Sequence, residues 1–210
     1  MQTIEDYILG HIDEEGILLS ALNRDAHVKL THPQMISGHF QGRLLKMFCR
    51  MMQPRRVLEI GTYTGYATIC IAEGLDDGAL IYTVEKNDEL QPFTLPYIEK
   101  SPHKDKIRMF WGEIETLFPA LDETFDMVYI DADKRNYCYY YDLIFPYLPS
   151  GALIMADNTL WSGKVLDEHP PLSDKQTQGI LAFNEKIKND DRIEKVILPV
   201  RDGLTLIWKK

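Results

Sequence analysis

Residues 127–134 read MVYIDADK, and residues 152–158 read ALIMADN. Each stretch is a short apolar run that ends in a carboxylate, Asp131 in the first and Asp157 in the second. Such a run, bounded by turn-forming residues, is typical of a buried parallel strand. Asp and Asn often do no more than end a strand and begin a turn. For the two runs together we favour a binding site, because ligands of open α/β sheets bind beyond the carboxyl ends of the strands.

The residue types at these two strand ends indicate a hard cation. Asp131, Asp157 and Asn158 would bring two carboxylates and an amide to one place. Oxygen ligands of this kind suit Mg²⁺, Ca²⁺ or Mn²⁺ rather than zinc. Lys134 follows three residues after Asp131 and adds a titratable group. A solvated turn lysine, or an ion pair between Lys134 and Asp133, is the structural alternative.

The pattern outward from these runs predicts the fold. From Arg56 onward, strand-like runs alternate with helical stretches, which is typical of βαβ units with a parallel sheet. The predicted strands are 56–60, 80–84, 107–110, 126–130, 152–156, 193–200 and 204–208. The predicted helices are 65–75, 88–100, 113–121, 136–146 and 174–189. Arg201-Asp202-Gly203 separates the last two strands and predicts an antiparallel hairpin. We therefore expect a Rossmann-like α/β fold, with a seven-stranded, mostly parallel sheet and helices on both faces.

Length and periodicity predict one domain. The chain has 210 residues, of which 45% are hydrophobic and 26% charged, as in ordinary globular proteins. Apolar residues recur at helical spacing through residues 2–53, so we expect a helical N-terminal segment, 1–53, that covers the active site. Residues 54–210 would form the Rossmann-like core, and 1–210 a single domain.

Composition excludes several classes of function. A net charge of −9 argues against nucleic acid and anionic membranes as partners. The three cysteines are Cys49, Cys70 and Cys138, and their odd number and wide spacing favour neither disulfides nor a zinc motif. This usage fits a reducing, cytoplasmic location. No secretory signal or membrane-spanning run is visible in the sequence.

The loop after the first predicted strand indicates the cofactor. Residues 59–66 read EIGTYTGY, so two glycines, Gly61 and Gly65, allow a ligand to approach the backbone closely. Their GxxxG spacing lacks the third glycine of dinucleotide-binding loops. Glu59 would repel a pyrophosphate but attract a sulfonium with an amino group, and Glu85 ends the second strand where an acid usually binds ribose. These features favour S-adenosylmethionine (SAM) over a dinucleotide. A tight turn without a ligand is the bland alternative for the glycine pair alone.

Four segments resemble a known family. VLEIGTYTGYATI (57–69), IDADKRNY (130–137), ADNTLWSGKV (156–165) and RDGLTL (201–206) are similar to the magnesium-dependent O-methyltransferases of the caffeoyl-CoA and catechol type. The resemblance spans roughly residues 35–210, with the motifs in family order. It implies a methyltransferase that uses SAM and a divalent cation, Mg²⁺ above all, and that forms a homodimer.

The resemblance also implies roles for individual residues. Lys134 would be the general base, and the metal ligands would be Asp131, Asp157 and Asn158. The cofactor would contact Ser37, Glu59, Gly61, Tyr63, Gly65, Ala67, Glu85, Gly112, Glu113, Ile114 and Asp131. Two positions depart from the family pattern: Ala67 stands where serine is usual, and Glu113 stands where a small residue or Asp is common. Neither departure affects the metal ligands or the base.

Substrate residues are predicted from position. Trp161 lies just beyond the metal ligands, where an aromatic ring would suit a planar phenol. Tyr137, Arg201 and Met35 are further candidates, with core packing or a turn as their structural alternatives. The substrate would be a small phenol, and the reaction methyl transfer to a hydroxyl of an ortho-diphenol.

Three other functions compete with this hypothesis. A nicotinamide oxidoreductase shares the sheet and the ribose acid, but the loop lacks its third glycine. A methyltransferase without a metal is disfavoured by the oxygens at positions 131, 157 and 158. A SAM-binding protein of this fold with a different acceptor or little activity is the remaining alternative.

Overall fold

Strands form at each of the short apolar runs in a computed structural model that describes residues 3–167 and 169–210. They are β1 Arg56–Ile60, β2 Leu80–Glu85, β3 Ile107–Trp111, β4 Met127–Ile130, β5 Leu153–Asp157, β6 Ile193–Leu198 and β7 Leu204–Lys209. The seven strands make one sheet in the order β3-β2-β1-β4-β5-β7-β6. β5–β7 and β6–β7 pair antiparallel, whereas β1–β4, β2–β3 and β4–β5 pair parallel. The predicted Rossmann-like fold is confirmed.

Helices form where helical spacing predicted them. They are α1 Ile4–Leu9, α2 Ile17–Lys29, α3 Gly38–Met52, α4 Tyr66–Gly74, α5 Gln91–Lys100, α6 Ile114–Leu121, α7 Tyr137–Ile144 and α8 Lys175–Lys188. Local signals set several of their ends. Thr3 and Asp6 form a capping box at α1, and the Asp174 side chain accepts from Thr177 N–H at α8. None of the described helices is both long enough and apolar enough to cross a membrane.

The described chain divides into two compact units. The first contains the residues up to Arg55 together with Thr62–Gly112, and the second contains Arg56–Gly61 together with Glu113–Lys210. The prediction of one domain over 1–210 stays a prediction. In the first unit, α3 packs closely on α4: a Cβ on Gly42 would lie 2.6 Å from Cys70 Sγ, and one on Gly74 would lie 2.6 Å from the Lys46 carbonyl oxygen.

The core of the second unit lies around its central strands. All four residues of β4 and all five residues of β5 are buried, as near-continuous apolar runs require in a parallel sheet. The rings of Tyr137 and Tyr141, from α7, meet Phe183 of α8 edge to face. The packing of these strands and helices holds the carboxyl ends of β4 and β5 in place.

Candidate active site

The two predicted acids lie at the carboxyl ends of neighbouring strands, at the same level: Asp131 directly follows β4, and Asp157 is the last residue of β5. β4 and β5 run parallel, with Ile130 opposite Ala156. Asp131 and Asp157 each come one residue later, so both emerge from the same edge of the sheet. Asp157 is 3% exposed, and Asp131 is partly exposed. The parallel register therefore brings together the two acids that the sequence pattern paired.

The Asp157 carboxylate is held from two sides. Its Oδ2 accepts a hydrogen bond from the Tyr129 hydroxyl at 3.0 Å, and its Oδ1 accepts from Asn158 N–H at 2.8 Å. Tyr129 belongs to the buried run of β4, and nothing in the sequence pattern indicates that its hydroxyl has a partner. Hydrogen bonds to a carboxylate favour its charged form and fix its orientation. The Asp157 carboxylate is thus buried and held in one orientation.

Asn158 lies on a backbone that the C-terminal hairpin holds. Its φ is +57°, a left-handed conformation that Asn adopts more readily than most residues. The next two N–H groups donate to the hairpin, Thr159 to Gly203 O at 3.0 Å and Leu160 to Asp202 O at 2.9 Å. A Cβ on Gly203 would lie 2.7 Å from Leu160 N, so only glycine fits there. Among the described residues, the Asn158 side-chain amide has no hydrogen-bond partner.

Lys134 is neither solvated nor paired with Asp133. It is 7% exposed, and its Nζ donates to Asp131 Oδ1 at 2.7 Å and to the Tyr137 hydroxyl at 2.8 Å. Asp133 instead accepts from Arg135 N–H at 3.1 Å and pairs with the Arg135 guanidinium. Both structural alternatives for Lys134 are therefore wrong. We call Asp131, Lys134, Asp157 and Asn158 the strand-end cluster.

The part of the glycine loop that belongs to the second unit lies against Asp131. Gly61 has a φ of +98°, and a Cβ there would lie 2.7 Å from the Asp131 carbonyl carbon. Asp131 N–H also donates to Ile60 O at 2.9 Å. Glu59, on β1, is fully buried. Glycine at position 61 thus lets the loop run directly over the end of β4.

The part of the loop in the first unit is fixed through Tyr63. Its N–H donates to Glu85 Oε2 at 2.8 Å, its carbonyl accepts from Thr94 Oγ1 at 2.8 Å, and its hydroxyl donates to His32 O at 2.9 Å. The other oxygen of Glu85 accepts from Asn87 N–H at 2.9 Å. Tyr63 also has a positive φ of +48°. Glu85 therefore orients the loop, a structural task that the sequence did not reveal.

The remaining predicted cofactor residues are placed by the fold, but their cofactor contacts stay predictions. Gly65 has a φ of +81° and precedes α4, where Ala67 is buried. Gly112 has a φ of +139°. Ser37 is buried before α3, whereas Glu113 is exposed and precedes the buried Ile114 of α6.

The predicted substrate residues differ in their surroundings. Trp161 has a φ of +46°, and its buried indole Nε1 has no hydrogen-bond partner in residues 3–167 and 169–210. Met35 is 55% exposed, and Arg201 is an exposed residue of the hairpin turn. Tyr137 is fully buried, and burial raises its pKa well above the usual value. A substrate cannot reach that ring without displacing the core, so the predicted substrate contact of Tyr137 is disfavoured.

Acidic, histidine and cysteine side chains do not form a larger cluster in the described residues. Within the described ranges, no group of three or more His, Cys, Asp and Glu side chains could hold an ion. The strand-end cluster has only two carboxylates and completes its oxygen set with an amide.

Two residues that support the site, Gly179 and Tyr129, could not be predicted from the sequence because both act through contacts that only the fold creates. A Cβ on Gly179, in α8, would lie 2.7 Å from Arg135 Cα, next to Lys134.

Comparison with known proteins gives consistent matches. A family model described as O-methyltransferase matches residues 11–210. Caffeoyl-CoA O-methyltransferase 1 of Zea mays is 34% identical over 194 residues, which cover 85% of this chain and 74% of that protein. Caffeoyl-CoA O-methyltransferase of Petroselinum crispum is 33% identical over 201 residues, 89% of this chain and 82% of that protein.

Solved structures match over nearly the whole chain. The O-methyltransferase TomG from Streptomyces achromogenes, in complex with SAM, has a TM-score of 0.88 and 26% identity, and the match covers 97% of this chain and 94% of that one. The O-methyltransferase from Bacillus cereus, in complex with SAH, has a TM-score of 0.87 and 26% identity over 99% of this chain and 97% of that one.

Proposed function

Because this chain belongs to the O-methyltransferase family, we propose that it transfers a methyl group from SAM to a hydroxyl of an ortho-diphenol, with a divalent cation bound at the strand-end cluster. One observation carries the proposal. Two carboxylates leave parallel strands at matched positions, and a buried lysine lies 2.7 Å from one of them. This is an arrangement of charged groups that strand ends alone do not require.

The strand-end cluster fits a hard cation. Asp157 offers a fixed carboxylate, and Asn158 an amide oxygen that no described residue engages. The second oxygen of Asp131 likewise accepts no hydrogen bond from the described residues. Oxygen ligands in this number and of this type suit Mg²⁺, with Mn²⁺ and Ca²⁺ as alternatives. When bound, such a cation would acidify a phenol hydroxyl in the sense in which it acidifies water.

SAM as the methyl donor is supported by the matches to TomG, solved with SAM, and to the Bacillus cereus enzyme, solved with SAH. In the second unit we assign Glu59 and Gly61 to the cofactor, with Asp131 beside them. In the first unit we assign Tyr63, Gly65 and Glu85. Ser37, Ala67, Gly112, Glu113 and Ile114 remain further proposed contacts. The positive φ of Gly61 and Gly65 exposes backbone groups that a ligand can approach.

In its neutral form, Lys134 would take the proton of the acceptor hydroxyl on the lone pair of Nζ, while its two N–H groups donate to Asp131 and Tyr137. It is held at Asp131 and shielded from water, so its amine stands at a defined point beside the proposed ligands. Orientation of acceptor and donor would supply much of the rate. Trp161, with an indole N–H that no described residue accepts, would form one wall for a planar phenol. Arg201 and Met35 are the other proposed substrate residues.

A SAM-binding protein of this fold with a different acceptor or little activity is the alternative function. Ala67 favours it, because serine at that position would offer a hydroxyl to the cofactor that alanine lacks. The homodimer and the cytoplasmic location predicted from the sequence also stay proposals.

Product analysis tests the proposal. The protein is incubated with SAM and a panel of ortho-diphenols, caffeoyl-CoA included, with a meta-diphenol and a monophenol as matched control acceptors. Each mixture receives Mg²⁺ or EDTA, and the products are read by mass. We expect a gain of one methyl group on ortho-diphenols only, and only with Mg²⁺. No product from any ortho-diphenol would reject the acceptor class, and product that is insensitive to EDTA would reject the cation.

A further inference from the structure

The hydroxyl of Tyr137 makes three polar contacts inside the protein. It accepts a hydrogen bond from Lys134 Nζ at 2.8 Å. Its single proton is shared between two carbonyls, Ile130 O at 3.1 Å and Asp157 O at 3.0 Å. Ile130 ends β4 and Asp157 ends β5, so one hydroxyl joins both strand ends to the lysine.

Lys134 needs more than one hydrogen-bond partner to stay in one conformation. A lysine side chain loses a large amount of rotamer entropy when it is fixed in one conformation. Asp131 supplies one contact with Nζ, and the Tyr137 hydroxyl supplies the second. With Asp131 alone, the amine could swing about a single ion pair. Two acceptors restrict Nζ more than one acceptor does.

The Tyr137 ring is itself held in place. It is fully buried and meets the Phe183 ring edge to face, with 5.4 Å between the ring centroids. The backbone around Lys134 is also fixed, because a Cβ on Gly179 would lie 3.0 Å from the Lys134 carbonyl carbon. Both contacts come from α8. The Tyr137 hydroxyl is therefore held in a fixed position by the packing of its ring.

From these contacts we infer that Tyr137 is a positioning residue, whose hydroxyl holds the Lys134 amine beside Asp131 and ties the two ligand-bearing strand ends together. This inference rests on the proposed function for its effect on turnover. The accessibility of the Lys134 amine to a labelling reagent can be measured without catalysis, so this part of the inference is independent of the proposed function.

Tyr137→Phe removes only the hydroxyl, and Tyr141→Phe is its matched control. Tyr141 lies one turn later in α7, is fully buried, contacts Phe183, and donates its hydroxyl to Asp190 Oδ2 at 2.9 Å. Each variant removes one buried tyrosine hydroxyl, but Tyr137→Phe loses three polar contacts and Tyr141→Phe loses one, so the melting temperature should fall further in Tyr137→Phe. Only Tyr137→Phe should change Lys134.

Turnover is the first measurement. We expect Tyr137→Phe to lower kcat by about 10–100-fold, as for loss of a hydrogen bond to a charged group, while KM for the diphenol and Kd for SAM change less than about threefold. Tyr141→Phe should keep kcat within about twofold. Equal kcat in the two variants would overturn the inference.

Chemical labelling of Lys134 is the second measurement. The folded protein is treated briefly with an acetylating reagent, and acetylation of the peptide that contains Lys134 is followed by mass. We expect Tyr137→Phe to raise the labelling rate of Lys134 several-fold over the wild type and over Tyr141→Phe. An unchanged rate would overturn the inference whatever the kinetics. If the wild type methylates no diphenol, the proposed function fails and labelling alone decides the role of Tyr137.

Discussion

Two partly buried charge clusters have similar ion-pair geometry but differ in how many of their carboxylate oxygens are engaged. In the strand-end cluster, Lys134 lies 2.7 Å from Asp131. In a second group, which we call the helix cluster, Arg43 of α3 lies 2.7 Å from Glu73 of α4, and Lys46 of α3 lies 2.7 Å from the other oxygen of Glu73. The partners are similarly shielded, with side-chain exposures of 9% for Lys134 and 11% for Arg43.

The difference lies in the carboxylate oxygens. Both oxygens of Glu73 are engaged by α3, at 2.7 Å each by Arg43 and Lys46. Of the two oxygens of Asp131, one is engaged by Lys134 and the other by none of the described residues. The Glu73 carboxylate, with both oxygens hydrogen-bonded, joins two helices. The Asp131 carboxylate, with one oxygen hydrogen-bonded at a strand end, can still bind a ligand through the other oxygen. Ion-pair distance alone therefore does not distinguish a structural pair from a functional one.

The largest effect should come from Lys134→Ala. Loss of a general base lowers turnover about 10²–10⁴-fold, while SAM affinity should change only a few-fold because the variant leaves the glycine loop intact. Kinetics and SAM titration measure both. Lys46→Ala is the matched control, since it removes a lysine at the same distance from a carboxylate, and it should leave kcat nearly unchanged. Equal losses of turnover and SAM affinity in Lys134→Ala would make Lys134 structural.

Next comes the backbone beneath the strand-end cluster. Gly61→Ala should lower the free energy of unfolding by about 3 kcal/mol, because a Cβ would overlap the Asp131 backbone and the φ is +98°. Gly78→Ala is the control: its φ is +80°, but nothing lies within 4 Å of the added Cβ, so about 1 kcal/mol is expected. Urea unfolding compares the two. Similar losses would mean that strain, and not the approach to Asp131, governs position 61.

A smaller effect is expected in the helix cluster. Glu73→Gln should lower the free energy of unfolding at pH 7 by about 1–2 kcal/mol and leave kcat within about twofold, because Glu73 joins α3 to α4. Urea unfolding and steady-state kinetics measure the two quantities. A large fall in kcat with little loss of stability would reverse the assignment of the two clusters.

The smallest effect is the pH dependence of the difference in the free energy of unfolding between wild type and Glu73→Gln. Burial acts to raise the pKa of Glu73, but hydrogen bonds from Arg43 and Lys46 outweigh it and lower the pKa below its usual 4.5. A lowered folded-state pKa stabilises the protein above the unfolded value, and this stabilisation is lost as the pH falls through the folded pKa. The difference in the free energy of unfolding between wild type and Glu73→Gln should therefore shrink as the pH falls below 4.5 and keep shrinking as the pH falls through the lowered pKa of Glu73. A difference that stays constant until both proteins unfold in acid would contradict the ion pair.

The sequence predicted the fold because the buried strands are uniformly apolar. β1 and β7 were predicted to within one residue, whereas β6 ends at Leu198, two residues before the predicted end. Turn residues such as Gly203 then fixed the hairpin. These signals are local, and local signals are what a single sequence contains.

The supports of the site could not be predicted in the same way. The Tyr129 hydroxyl donates a hydrogen bond to Asp157, which lies 28 residues later in the sequence, and this contact depends on the register of β4 and β5. The left-handed backbone at Asn158 depends on hydrogen bonds of the next residues to the hairpin at Gly203. Asp133, which had no assigned role, accepts from Arg135 N–H and closes the turn that carries Lys134. The contacts of Tyr129 and of the Asn158 segment each need two segments that only folding brings together, whereas the Asp133 contact lies within one turn.

A Mg²⁺ titration of methyl transfer tests the central claim most directly. The protein is freed of metal, and the initial rate with a catechol acceptor is measured against Mg²⁺ concentration for the wild type and for Asp157→Asn, which keeps the size of the side chain and removes its charge. We predict no rate in wild type without Mg²⁺, saturation as Mg²⁺ is added, and a half-saturating concentration at least about tenfold higher in Asp157→Asn. A full rate in metal-free wild type, or the same half-saturation in both proteins, would contradict a cation bound at the strand-end cluster.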